Sequence, residues 1–102
     1  MADVTKGLYV RLEAKENMAG TLVRFLESAQ PLAEDEPGTA AWFAIRMGDS
    51  TFGIFDVFPD DDARQAHLNG PIAAALMEKA DELLSEPPRI EQIDVLASKL
   101  PG

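Results

Sequence analysis

The chain has 102 residues, the length of one domain with a modest core. Its formal charge of −9 argues against nucleic acid and against an anionic membrane surface as partners, because both require a basic face. With no cysteine, disulfides, thiolate chemistry and Cys-bound zinc or iron–sulfur centres are excluded.

Met1 to Lys6 is expected to be a flexible N-terminus of a single domain spanning 1–102. Gly7 to Ala14 (GLYVRLEA) alternates, with Leu8, Val10 and Leu12 on one face and Tyr9, Arg11 and Glu13 on the other, which predicts a strand. Asn17 is placed to cap a helix. From Met18 the period becomes helical, with Leu22, Phe25, Leu26, Ala29 and Leu32 in one stripe. Pro31 should kink or end that helix, and Glu36-Pro37-Gly38 stops it.

Thr39 to Met47 and Thr51 to Phe58 flank Gly48-Asp49-Ser50, a hairpin pattern. Both faces of this hairpin are apolar: Phe43, Ile45 and Met47 oppose Trp42 and Ala44, while Phe52, Ile54 and Phe58 oppose Phe55 and Val57. Pro59-Asp60-Asp61-Asp62 turns the chain and offers a carboxylate cap to a short helical piece, Ala63 to Leu68. Asn69-Gly70 breaks that piece, and Pro71 opens a second helix with Ile72, Ala75, Leu76, Ala80, Leu83 and Leu84 buried. Arg89 to Leu100 alternates again and predicts a last strand.

Strand, helix, hairpin, helix, strand is the β-α-β-β-α-β order of a ferredoxin-like α+β fold with a four-stranded antiparallel sheet. Right-handed crossovers place both helices on one face. The other face would then expose large apolar groups, Trp42 with Phe55 or Phe43 with Phe52, so a homodimer packed through the sheet face is expected. No apolar run approaches a membrane span and no basic-then-apolar leader is visible, so a cytoplasmic location is expected.

The segment Phe25 to Gly70 resembles the antibiotic biosynthesis monooxygenase family, whose members are dimeric α+β barrels. The likeness lies in the amphipathic helix running into Glu36-Pro37-Gly38, the hairpin, Phe55-Asp56-Val57-Phe58 in place of an aromatic–acid–x–tryptophan pattern, and Ala66-His67-Leu68 after an acidic turn. Asp56 stands where glutamate is usual and Phe58 where tryptophan is usual. The haem-degrading branch of the superfamily carries an asparagine in the first strand, a tryptophan at the place of His67 and a histidine at that of Met77. This chain has none of the three, so haem degradation is not expected.

His67 is the only histidine and the only side chain that ordinarily titrates near neutrality. It reads either as a general base or as a hydrogen-bonding anchor at the end of its helix. Asp56 sits in an apolar strand and needs a partner if buried; Arg11, on the neighbouring strand, is the expected one, in a structural or a substrate-binding pair. Tyr9, Arg11, Trp42, Phe55, Phe58 and Met77 are candidate substrate-binding residues, or else ordinary packing. No phosphate loop and no nucleophile elbow are present, and Asp60-Asp61-Asp62 lacks the pattern of a calcium loop, so no metal site is expected. The resemblance implies a cofactor-independent monooxygenase acting on a quinol-like or polycyclic aromatic molecule. The alternative is a non-catalytic, small-molecule-binding or structural domain of the same fold.

Overall fold

The computed structural model describes residues 3–101. Its elements are β1 (Lys6–Glu13), α1 (Ala19–Glu34), β2 (Ala41–Arg46), β3 (Thr51–Phe58), α2 (Asp61–Leu68), α3 (Pro71–Leu83) and β4 (Arg89–Asp94). The sheet is antiparallel throughout, in the order β2-β3-β1-β4. That is the ferredoxin-like arrangement, with a short extra helix after the hairpin.

Register decides which residues share a face. Leu8 pairs with Asp56, Val10 with Ile54 and Leu12 with Phe52, while Trp42 lies across from Asp56 on the other side of β3. These side chains face the helices. Leu8, Leu12, Phe52 and Phe58 are at most 2% exposed, and Leu22, Leu26, Leu76 and Leu83 close the core from α1 and α3. Each such side chain contributes roughly 1.5–3 kcal/mol on burial, so most of the stability lies between this face and the helices.

The same register pairs Phe43 with Phe55 and Ile45 with Gly53 on the opposite, outer face. The bare face therefore carries Phe43 with Phe55, and neither Trp42 nor Phe52 belongs to it. Phe43 is 53% exposed and Ile45 38%. A Cβ on Gly53 would meet Tyr9, Ile45 and Met47 within 3.3 Å, so glycine there lets those outer side chains close over the strand.

Local departures from the sequence reading have physical causes. Asn17 adopts a left-handed backbone (φ 67°), which its short polar side chain tolerates, and Met18 takes the cap position with no side-chain hydrogen bond. Pro31 stays inside α1, because it lies on the exposed side where solvent can take the carbonyl it leaves unbonded. Leu32 is 37% exposed, and Ala33 takes its place in the stripe. The last strand ends at Asp94, well before Leu100. It pairs only with β1, which begins at Lys6, so the ladder stops after Val95 N–H donates to the Thr5 carbonyl. The flexible stretch expected for 1–6 is corrected at its inner end. Val4 is buried, and Thr5 donates through its N–H to Phe58 and through Oγ1 to Pro59. Met1 and Ala2 lie outside the described residues.

Candidate active site

Three elements converge on His67. The Asp60 side chain accepts from the Ala63 N–H at 2.8 Å and starts α2, which carries His67 in its last turn. Strand β3 aims Asp56 at the same point from the sheet, and the loop after α1 brings Glu36. That loop can lie against α2 because residue 38 is glycine: a Cβ there would fall 2.8 Å from the Ala63 Cβ. Thr39 Oγ1 donates to Glu36 Oε1 at 2.7 Å and orients the carboxylate.

The histidine is held on both sides. Nδ1 lies 2.6 Å from Glu36 Oε1, and Nε2 lies 2.8 Å from Asp56 Oδ2. Its ring packs against Phe58 at 5.4 Å between centroids. The side chain of Asp56 is 1% exposed, that of His67 8% and that of Glu36 16%, so the cluster sits nearly out of water. The Nε2 contact is an ion pair by distance, but neither Asp56 oxygen has an aligned hydrogen-bond donor. Glu36 Oε2 and the Trp42 indole N–H are likewise buried without a partner.

Burial drives the Asp56 pKa above its ordinary value, and the Glu36 charge adds to the rise; the close contact and charge of His67 only partly offset them. For His67 burial works the other way, against the imidazolium. The close contacts and charges of Asp56 and Glu36 outweigh it and raise the pKa above its ordinary value. Both His67 and Asp56 thus hold protons more tightly than they would in water, His67 because two carboxylates face it and Asp56 because it is buried.

One edge of this cluster opens on a cavity of about 200 Å³, lined by Glu36, His67, Gly38, Ala63, Ala66 and Gly70 among others. A second hollow, of about 310 Å³, shares Thr39 with the first and reaches Trp42 and Ala33. Asp56 itself lines neither.

The residues named from the sequence fall in several places. His67 and Asp56 meet. Arg11 is not the partner of Asp56: it lies on the outer face, exposed, and pairs with Glu13 at 3.1 Å. Phe58 is sealed in the core beside His67. Trp42 packs on the helix side against Ala29, Ala33 and Ile72. Tyr9 is on the outer face, its hydroxyl donating to Met47 Sδ. Phe55 and Phe43 line an outer hollow of about 480 Å³, with Val57, Val95 and Leu100. Met77 is 58% exposed on α3 and borders a separate groove with Lys15 and Pro87. No one cavity collects the six substrate-binding candidates. Glu36, which the sequence marks only as part of a helix stop, belongs to the cluster. Among the described residues no helix is long and apolar enough to cross a membrane.

Comparison with known proteins agrees with this geometry at the level of fold. No protein-family model matches the chain, and no curated protein does. Among solved structures, the NE2512 protein of unknown function from Nitrosomonas europaea is 57% identical, with 97% of this chain and 96% of that one covered and a TM-score of 0.95. Rv0793 from Mycobacterium tuberculosis is 16% identical over 92% of this chain and 97% of its own, with a TM-score of 0.82. A "Putative antibiotic biosynthesis monooxygenase from Nitrosomonas europaea" is 12% identical over 90% of this chain and 99% of its own, with a TM-score of 0.81.

Proposed function

The chain belongs to the same family as the NE2512 protein and has the antibiotic biosynthesis monooxygenase fold, and from that premise we propose that it is a cofactor-independent monooxygenase acting on a quinol-like or polycyclic aromatic molecule. The observation that carries the proposal is the Glu36–His67–Asp56 cluster: three titratable groups, nearly dry, bordering a cavity. Such groups concentrate where protons are moved.

In this reading a phenolic ring enters the cavity beside His67 and Glu36, and a larger ring system extends past Thr39 toward Trp42. The Glu36 carboxylate, whose Oε2 has no partner, takes the substrate proton while the imidazole steadies its other oxygen. The phenolate then reduces O₂ and combines with it at a ring carbon. One oxygen atom becomes the new quinone carbonyl, and the other leaves as water with the two hydrogens the phenol has lost. The protein supplies orientation, a base and exclusion of bulk water. The working unit is a homodimer that covers Phe43, Ile45 and Phe55.

A second reading, a non-catalytic small-molecule-binding domain, is favoured by two features. Both nitrogens of His67 are engaged, and the aromatic hollow at Phe43 and Phe55 lies across the sheet from it. Oxygen uptake against a panel of hydroquinones, with and without added flavin or metal, separates the two. Turnover without additives supports the oxygenase; saturable binding with no oxygen consumed supports the binding domain.

A further inference from the structure

The cluster around His67 has a property that does not depend on any substrate. Its two contacts, Nδ1 to Glu36 and Nε2 to Asp56, are both shorter than 3 Å: the first is a hydrogen bond with one proton between its heavy atoms, and the second is a close charge contact, favourable while the facing ring nitrogen bears its proton. Two protons satisfy three groups, whichever atoms hold them. Remove one, and a lone pair of the ring faces a carboxylate oxygen in a poorly solvated place, which is repulsive.

The two arms are not equal. Asp56 is fixed in the middle of β3, between Leu8 and Trp42. Glu36 belongs to a loop, is the more exposed of the two carboxylates, and has a second donor in Thr39. The arm that yields is therefore Glu36. The Glu36–Thr39 segment is also one wall of the cavity beside His67, so its release changes access to that cavity.

We propose that His67 is a proton-operated clasp that ties the Glu36–Thr39 loop to the sheet, and that loss of one proton from the cluster frees the loop and opens the adjacent cavity.

The other charged groups near the ring do not replace this control. On α2, Arg64 is committed to Asp61 at 2.8 Å and to the carbonyls of Gly7 and Ile93. From β1, Lys6 faces Asp94. From β3 the facing group is Asp56, and from the loop it is Glu36, with Asp35 bordering the same cavity. The first turn of α3, Pro71 to Ala74, carries no titratable side chain. The direction of the His67 shift, upward, agrees with a clasp that is closed at neutral pH.

The test uses the whole chain, labelled with ¹⁵N, between pH 5 and 10. His67 is the only histidine, so its two ring nitrogens are read without ambiguity. Exchange of the Thr39 amide, which donates to the Glu36 carbonyl at 3.2 Å, reports on the loop, and that of the Leu12 amide on the core. The clasp predicts that the ring titrates above its ordinary value. It also predicts that Thr39 protection, corrected for base-catalysed exchange, falls by up to about tenfold per pH unit between the ordinary histidine value and the raised one, since the closed loop holds a proton that the open one releases. Leu12 should not follow. In Glu36→Gln, its fold checked by Leu12 protection, Thr39 protection should no longer follow the ring. A ring that titrates at or below the ordinary histidine value overturns the proposal, as does a Thr39 amide that tracks Leu12 throughout.

Discussion

Replacing His67 with alanine removes the one group that stands between two buried carboxylates. Asp56, with 1% of its side chain exposed, cannot turn to water; Glu36, on a loop and 16% exposed, can. The loss is therefore dominated by Asp56, and removing one partner of a buried pair costs about 3–5 kcal/mol. For a domain whose whole stability is on the order of 5–15 kcal/mol, that is a large share. The cost should also depend on pH. Without His67 the Asp56 pKa rises further, so the folded state binds a proton that the unfolded state does not, and stability recovers as the pH falls. Urea unfolding followed by the fluorescence of Trp42, the only tryptophan and the cross-strand neighbour of Asp56, measures this at pH 5.5 and pH 8. Replacing Asp56 by leucine in the same chain should restore much of the loss, because the orphaned charge is then gone. A loss below about 1 kcal/mol, equal at both pH values, would refute the description of the cluster as buried and mutually dependent.

Three further outcomes follow from the same structure. In the unaltered chain the pKa values of Asp56 and His67 are both shifted upward, so both contributions weaken with rising pH. The Asp56 share is complete below its unfolded value of 3.8 and the His67 share below 6.5, each being lost as the pH climbs through the folded value. Denaturation midpoints should therefore fall from pH 6 to pH 9. Gly38→Val places a Cβ 2.8 Å from that of Ala63 and should cost about 1–3 kcal/mol while pushing the loop off α2, read by thermal unfolding and by exchange at Thr39. Phe43→Asp puts a charge on the outer face and should shift light scattering from dimer to monomer with the fold intact by circular dichroism; an unchanged mass would remove that face as the dimer contact.

The element order is legible in the sequence because period-two and period-3.6 segments alternate cleanly and are separated by Gly, Pro and Asp turns. The central position of β1 and β3 follows from that order alone. The partner of Asp56 is not Arg11 for a reason of parity. Arg11 alternates with Val10 and Leu12 and so points outward, while Asp56 shares its face with Ile54 and Phe58 and points inward. Aligning the apolar faces of the two strands is enough to exclude the pair. Glu36 is harder to find. Its role depends on how the loop folds back onto α2, and the one local sign is Gly38, which is needed for close approach and also reads as a plain helix stop. The aromatic residues stand out in the sequence as core or surface-forming in kind, but composition does not say which side of a sheet each occupies. Register does, and it sends Phe55 and Phe58 to opposite faces.

The most direct measurement of the proposed activity uses ¹⁸O₂ with a panel of phenols and hydroquinones, the metal-free and flavin-free protein, and mass spectrometry of the organic product. A monooxygenase that works as described places one labelled atom in the quinone and the other in water, and Glu36→Gln slows the labelling. Unlabelled quinone accompanied by hydrogen peroxide, or recovery of every phenol unchanged, would contradict it.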